Sequence, residues 1–255
     1  ALEHFTPFAS AEFAVRPFIK KYGDEMMNQM ESWAMSGNPH VRRLASEGCR
    51  PRLPWAMALP EFKNNPGPIL PVLEKLKSDE SEYVRRSVAN NLNDISKDNP
   101  DIVIAMAVKW HGVTNDTDNI IKHGCRTLLK KGNPEILALL GYKKPKHIRL
   151  IDFRVQDSVI IGGKLNFSFT LKSERKSLGT LRIEYGIDHL KKNGSRSTKV
   201  FKLSESKIDS TEKSLSRFHS FKEITTRKYY TGMHGLSIIV NGQTMGNADF
   251  LLRPC

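Results

Sequence analysis

Apolar residues recur at helical spacing over residues 11–141, where clusters such as 26–30 return every three or four positions. Breaks that contain proline and glycine, such as 37–39, separate these clusters. The pattern predicts a succession of short amphipathic helices joined by tight turns.

One short segment is repeated within this helical half. Residues 41–45 (VRRLA) recur as residues 84–88 (VRRSV), and a weaker third copy begins near Ile120. Each of the first two copies is followed by a second apolar run, at 68–76 and 102–110. A period near 40 residues with two helices per unit is typical of a HEAT-like solenoid, whose equivalent helices line one surface.

After Pro145 the apolar period changes from helical spacing to two. Strict alternation or short apolar runs occur at 148–155, 166–171, 181–185, 200–203, 214–221, 236–240 and 248–252. About seven short strands in about 110 residues are typical of an immunoglobulin-like β-sandwich. The sequence therefore predicts an all-α HEAT-like repeat domain over residues 1–146 and a sandwich over residues 147–255.

The chain carries a net charge of +13 with a sequence pI near 9.7, which indicates a polyanionic partner. Residues 147–255 hold +9 of that charge, so the smaller domain is the more basic one. Nucleic acid and an anionic membrane surface both fit this charge, whereas a transmembrane span is disfavoured because no run of 18 apolar residues is present.

Cysteine usage and the start of the chain bear on the compartment. Cys49, Cys125 and Cys255 are widely spaced and form no redox or zinc pattern, which predicts idle thiols in a reducing cytosol. The first residues do not read as a signal peptide. The chain begins with Ala1 instead of methionine, from which we expect an upstream segment to be missing.

Two basic segments of the predicted sandwich, 191–196 and 225–230, are candidates for binding a phosphate backbone. The first reads as a hairpin tip, and the second places tyrosines beside its charges. Their cations are Lys191, Lys192, Arg196, Arg227 and Lys228. A solvated surface without a partner is the alternative interpretation, and the sequence leaves both open.

Residues 41–55 (VRRLASEGCRPRLPW) gather four arginines, one glutamate and one tryptophan. Glu47 lies four residues after Arg43 on the same helix face, where an intrahelical salt bridge is the alternative to a chemical role. Gly48 is small enough to let another group approach closely. Such a mixture of charges suits a site that handles a cation within a polyanion.

The end of this segment adds two cations and an indole. Arg50 and Arg52 follow the helix, and prolines stiffen the exit to Trp55. An indole stacks on a cationic base with about 0.5–2 kcal/mol of cation–π energy, or it simply fills the core. Arg52, together with Arg86 of the second repeat copy, is a further candidate DNA contact.

Two more carboxylates are candidates for chemistry. Asp94 ends the second repeat helix, eight residues after Arg86 and on the same side, although a turn role is the alternative. Glu12 is equally well explained as a first-turn charge favoured by the helix dipole. No catalytic triad, phosphate loop, dinucleotide fingerprint or metal cluster is visible, so we expect a reaction without cofactor or metal.

Three segments resemble the AlkC branch of the HEAT-like repeat alkylpurine DNA glycosylases: 10–18 (SAEFAVRPF), 40–55 (HVRRLASEGCRPRLPW) and 84–100 (VRRSVANNLNDISKDNP). The sandwich resembles the immunoglobulin-like domain that some members of that branch carry. Members usually have more helix before the first motif, so we expect the N-terminal part of the solenoid to be absent here.

The resemblance implies a monofunctional glycosylase that hydrolyses the N-glycosidic bond of 3-methyladenine and 3-methylcytosine in duplex DNA without flipping the base, unlike most glycosylases. The family's lesion-facing positions are matched by Glu12, Glu47, Trp55 and Asp94, and its DNA-contacting positions by Arg43 and Arg50. Asp94 matches the catalytic aspartate.

Chemistry agrees with this interpretation, because a base alkylated at N3 is cationic and leaves easily, while carboxylates stabilise the oxocarbenium and position water. No lysine is placed for a Schiff base, so we expect no lyase step. The alternatives are a non-catalytic HEAT-repeat protein that binds damaged or branched DNA, and a protein scaffold, which the charge disfavours. We expect a monomer in the bacterial cytoplasm, used at the nucleoid, with alkylated duplex DNA as its partner and no membrane association.

Overall fold

The computed structural model describes residues 1–225 and 228–254. The chain divides into two compact units, Ala1–Lys131 and Gly132–Cys255. Within the described residues, helices occupy the first part of the chain and strands occupy the part from Ile148 onward. The prediction of a helical domain followed by a β domain is therefore confirmed.

The helices are short, and several begin at a proline, whose fixed φ suits the first helical position. In α4 the side chain of Asn38 also accepts the backbone N–H of His40 at 2.9 Å. In chain order the helices are α1 (Leu2–Phe5), α2 (Arg16–Tyr22), α3 (Asp24–Trp33), α4 (Pro39–Gly48), α5 (Pro60–Asn64), α6 (Leu70–Leu76), α7 (Glu82–Ile95), α8 (Pro100–Trp110), α9 (Asn115–Gly124), α10 (Arg126–Lys130) and α11 (Pro134–Leu139), with a 3₁₀ turn at Gly67–Ile69 before α6.

The repeat copies form neighbouring helices, with α4 against α7 and α7 against α9. The first arginine of each copy joins its helix to the next one. Arg42 binds Asp79, which precedes α7, at 2.6 Å and also the carbonyl of Ser36 at 3.0 Å. Arg85 lies 3.1 Å from Asp116 of α9 and repeats the arrangement. The repeated V-R-R segment thus encodes the stacking of the solenoid.

Close approach at Gly48 packs the segment before α2 against α4, as expected from the small size of glycine. A Cβ at this position would lie 2.6 Å from Cγ1 of Val15, so no side chain fits there without a shift. Trp33 and Trp110 are buried and pack within the helices. The segment before α2 is therefore held against the helix that carries Glu47.

Two antiparallel sheets, β1-β3-β6 and β2-β8-β7-β4-β5, share one apolar core, with a parallel pairing between β2 and β8. In chain order the strands are β1 (Ile148–Val155), β2 (Ser158–Ile160), β3 (Lys164–Ser173), β4 (Gly179–Leu190), β5 (Arg196–Ile208), β6 (Glu212–Ser220), β7 (Gly232–Val240) and β8 (Gln243–Arg253). The strand that the sequence did not predict is β2, which is three residues long and too short to show a period.

Residues 132–146 belong to the second unit, although the sequence placed the boundary between residues 146 and 147. Tyr142 donates a hydrogen bond from its hydroxyl to Glu205 of β5. The side chain of Asn241 donates to the carbonyl of Lys143 at 2.7 Å. These contacts attach α11 and the chain after it to the sandwich, and sequence periodicity contains no sign of them.

Tyr142 belongs to a buried ion cluster, here called the sandwich cluster. Its other members are Arg182, Glu184 and Glu205. Arg182 lies 2.6 Å from Glu184 and 3.1 Å from Glu205. Arg182 and Glu184 of β4 are 4% and 0% exposed. Burial and the neighbouring Glu205 raise the pKa of Tyr142 above its ordinary value, so its hydroxyl stays a donor.

Candidate active site in the helical unit

Arg50 joins the two central carboxylates of the helical unit. Its Nη1 donates to Oε1 of Glu47 at 2.7 Å, and its Nε donates to Oδ2 of Asp94 at 2.9 Å. Its Nη2 lies 2.8 Å from the same Asp94 oxygen. With Glu12 and Arg43, these three residues form what we call the carboxylate cluster.

The local fold explains this meeting point. Glu47 lies at the end of α4 and Asp94 at the end of α7, and these two helices pack side by side. The C-terminal end of a helix carries a partial negative charge, which disfavours acids there. Arg50, from the turn that follows α4, offsets both. Burial disfavours charge on Arg50, but the two carboxylates outweigh it and raise the pKa of its guanidinium.

A buried hydroxyl also donates a hydrogen bond to the carboxylate of Glu47. Oγ of Ser87 donates to Oε2 of Glu47 at 2.6 Å and lies 3.0 Å from Oγ of Ser46. Sequence reasoning missed Ser87, although a signal exists. Ser87 occupies the position that the first repeat copy fills with the buried Leu44, so a polar residue replaces a core residue.

Asp94 is almost fully enclosed, with 1% of its surface exposed. Besides Arg50, its Oδ1 accepts a bond of 3.0 Å from Lys97, whose side chain is 38% exposed. Lys97 was also missed, although it lies only three residues along the chain. Arg86 is exposed and lines a groove of about 400 Å³ between α7 and α9 with His123.

Arg43 links Glu12 to the centre of the cluster. Its guanidinium lies 3.5 Å from Glu12 and 3.6 Å from Glu47, and it stacks 4.6 Å above the ring of Tyr83. Glu12 lies in a turn before α2, which begins at Arg16, so the interpretation as a first-turn helix charge is wrong. The salt bridge expected between Arg43 and Glu47 is present, but Arg50 is the nearer partner of Glu47.

Trp55 stands out from the surface, with 97% of its area exposed. Its φ is +60°, in the left-handed region that is rare for a bulky residue. The alternative that it fills the core is therefore wrong. A strained, exposed indole is typical of a binding surface.

Some of the other predicted DNA-contacting residues are paired with a carboxylate of the protein, and others are exposed to solvent. Arg52 is paired with Asp98 at 2.6 Å, and Arg196 with Asp249 at 2.7 Å. The predicted lysine contacts of the sandwich, Lys191, Lys192 and Lys228, are exposed. Arg227 lies outside the described residues, so its placement stays a prediction.

Thiols and metals play no visible part in the described site. Cys49 and Cys125 are buried, and burial raises the pKa of both thiols to about 12. Cys255 lies outside the described residues. Across residues 1–225 and 228–254, no group of three or more potential ligands is placed to hold a metal ion, and no helix has the length and apolarity to span a membrane.

These features define a helical-repeat protein with an immunoglobulin-like sandwich, a buried carboxylate site and an exposed indole in the loop that follows α4. Family models agree with this class, since the model of the DNA alkylation repair enzymes matches residues 6–127. The model of the C-terminal immunoglobulin-like domain of the uncharacterised protein YhaZ matches residues 149–254.

Two relatives extend the match over almost the whole chain. The uncharacterised protein YhaZ of Bacillus subtilis is 51% identical over 252 residues, which are 98% of this chain and 70% of that protein. The alkylpurine DNA glycosylase AlkC of Pseudomonas fluorescens, solved bound to DNA containing an abasic site analog, has a TM-score of 0.94. It is 39% identical, and the match covers 99% of this chain and 71% of that one. This chain therefore belongs to the DNA alkylation repair enzyme family, in its AlkC branch with a C-terminal immunoglobulin-like domain.

Proposed function

We propose that this protein is a monofunctional DNA glycosylase that removes cationic alkylated bases, with 3-methyladenine and 3-methylcytosine as its substrates. The observation that carries the proposal is the pairing of Glu47 and Asp94 through Arg50, five residues before the exposed Trp55. The similarity to the DNA-bound AlkC structure supports duplex DNA as the partner.

In the proposed reaction the bond between C1′ of the sugar and the base nitrogen breaks. Its electron pair stays on the base and neutralises the positive charge of that base. The sugar becomes an oxocarbenium ion, which the carboxylates of Asp94 and Glu47 stabilise electrostatically. A water oxygen then adds to C1′, and Asp94 orients this water and accepts its proton.

The remaining members of the cluster would bind the damaged nucleotide. Trp55 offers an aromatic face to the cationic base or its sugar. Glu12 and Glu47 frame the lesion with negative charge, and Arg43 holds both in place. Lys97 is the partner of Asp94 that a bound nucleotide would displace, because its side chain reaches solvent.

Selectivity follows from the leaving group and needs no tight pocket, so we propose that the base is released within the duplex without being flipped. A normal base is neutral and leaves far more slowly. The reaction uses no cofactor and no lyase step, and the protein acts as a monomer in the bacterial cytoplasm. The basic sandwich supplies a second DNA-binding surface through Lys191, Lys192 and Lys228.

The test is incubation with methylated duplex DNA, followed by chromatographic identification of the released bases. We expect free 3-methyladenine and 3-methylcytosine, with strands that stay intact until the abasic sites are cleaved by alkali. Asp94→Asn should slow release by about 100-fold or more, the scale of a lost general base, while DNA affinity persists.

Two other results would be informative. Tight DNA binding without release of any base would identify a non-catalytic protein that binds damaged or branched DNA. Release at the wild-type rate by both Asp94→Asn and Glu47→Gln would overturn the assignment of the site.

A further inference from the structure

Arg16 is a fully buried arginine in segment 10–18, and the proposed reaction leaves it without a role. Its Nε donates to the carbonyl of Met57 at 2.6 Å. Its Nη1 donates to the carbonyls of Gly48 and Arg50, each at 2.9 Å. These hydrogen bonds therefore reach backbone carbonyls that lie 32 to 41 residues away in sequence.

Burying such a charge is unfavourable, and burial lowers the pKa of Arg16 below its ordinary value. Glu61 and Asp94 favour its charge from a distance. A buried cation held by carbonyls is kept where its planar fork of donors makes contacts that no other side chain can reproduce. The three carbonyls therefore indicate what Arg16 does.

These carbonyls lie at the two ends of one loop, residues 48–57. Residues 51–58 belong to no helix or strand, and the backbone bonds of Arg50 to Glu47 and of Ala56 to Leu53 are both long, at 3.3 Å. The loop nevertheless holds Trp55 at a positive φ, a conformation that persists only when its surroundings impose it. Arg16 ties the start of the loop to its end.

The same contacts act on the carboxylate cluster. The carbonyl of Arg50 is fixed by Arg16, while the side chain of Arg50 bridges Glu47 and Asp94. One buried residue thus contacts the backbone on both sides of the indole and the backbone of the bridging arginine.

We infer that Arg16 is a positioning residue, which clamps loop 48–57 so that Trp55 meets the damaged nucleotide while Arg50 reaches both carboxylates. This inference rests on the proposed glycosylase function. The clamp itself is a property of the free protein and is testable without any substrate.

The substitution to test is Arg16→Lys, which keeps the charge and removes the planar fork. Its matched control is Arg42→Lys, because Arg42 is also buried and binds carbonyls and carboxylates, but outside the carboxylate cluster. Trypsin reports the loop directly. The bond between Arg50 and Pro51 resists it, whereas the bond between Arg52 and Leu53 is cleavable once the loop opens.

In the first experiment, mass spectrometry follows the fragment that begins at Leu53 and, as a measure of global opening, cleavage after Lys109 in α8. We expect Arg16→Lys to raise the ratio of loop to α8 cleavage by about tenfold, and Arg42→Lys to leave it unchanged. An unchanged ratio in Arg16→Lys would overturn the clamp, even if the variant is less stable as a whole.

In the second experiment, single-turnover base release is measured for Arg16→Lys in the wild-type and Trp55→Ala backgrounds. We expect a loss of about tenfold in the first and about twofold or less in the second, because residues that act through one element are not additive. An equal loss in both backgrounds would show that Arg16 does not act through Trp55. Failure of the wild type to release any base would instead refute the proposed function and leave the proteolysis result standing.

Discussion

Two buried arginines of this protein each bridge two carboxylates, one in each unit. In the helical unit Arg50 lies 2.7 and 2.8 Å from its two partners, Glu47 and Asp94. In the sandwich Arg182 lies 2.6 and 3.1 Å from its own pair. Taken alone, the ion pairs of the two clusters are nearly the same.

Their surroundings differ. The sandwich cluster is covered by Tyr142 and lies against the five-stranded sheet, so its charges attach residues 132–146 to that unit. In the carboxylate cluster Arg50 precedes Trp55, which is 97% exposed, by five residues, and Asp94 is paired with the partly exposed Lys97. A buried arginine with two carboxylates is therefore not by itself a site. The sandwich cluster also has a partly exposed lysine, since Lys202 lies 3.1 Å from Glu205. The exposed indole is therefore what favours chemistry in the helical unit.

The largest effects should come from removing each arginine in turn. Arg50→Met and Arg182→Met each remove the buried cation that bridges two buried carboxylates, which costs about 3–5 kcal/mol of unfolding free energy. We expect each variant to lower the melting temperature by about 10 °C, measured by circular dichroism.

Activity per folded molecule should then separate the two variants. Arg50→Met should also slow base release by at least tenfold, since an electrostatically organised site loses its geometry. Arg182→Met should release bases at the wild-type rate once corrected for the folded fraction. Equal rates in the two variants would contradict the distinction between the clusters.

Trp55 and Tyr142 should give a second, smaller contrast in stability and in the rate of base release. Trp55→Ala should change the unfolding free energy by less than about 0.5 kcal/mol, because the side chain is exposed. It should slow base release by roughly 2- to 30-fold, the scale of a cation–π contact.

Tyr142→Phe should do the opposite. It removes a hydrogen bond to a buried carboxylate and should cost about 1–2 kcal/mol of stability, with base release unchanged. Urea titration and single-turnover assays measure both quantities. Loss of activity in Tyr142→Phe would place chemistry in the sandwich and refute this contrast.

The smallest effect concerns DNA affinity. If Lys191 and Lys192 contact phosphates, the double change to alanine should reduce the slope of log affinity against log salt by about 2. Lys207→Ala is the control, since that ammonium is paired with Asp209 at 3.0 Å. An unchanged slope in the double variant would show that the hairpin does not bind DNA.

Much of the fold could be predicted because its signals are local. Helical spacing and the repeated V-R-R segment identify the stacked helices, and alternation identifies every strand of more than three residues. The attachment of residues 132–146 to the second unit leaves no trace in periodicity, because it depends on Tyr142 and Asn241, which contact partners 63 and 98 positions away. The alternating pattern of β4 also does not show whether its polar face is exposed to solvent or covered by another segment of the chain.

The candidate site, too, could be predicted where its sequence signals are local and not where it depends on distant contacts. Glu47, Asp94 and Trp55 were found because repeat register and family resemblance mark their positions, although their roles stay predictions. Arg16 was missed because its hydrogen bonds go to carbonyls that are distant in sequence, and such bonds leave no trace in the local residue pattern. Ser87 was missed although its place in the repeat marks it as unusual.

The most direct measurement compares Glu47→Gln with Glu184→Gln, two neutral isosteres of a carboxylate that pairs with a buried arginine. Release of 3-methyladenine from methylated duplex DNA is measured for each under single-turnover conditions and divided by the folded fraction. We expect Glu47→Gln to fall by about 100-fold or more and Glu184→Gln to match the wild type. Wild-type release by Glu47→Gln, or an equal loss in Glu184→Gln, would contradict the assignment of the reaction to the helical unit.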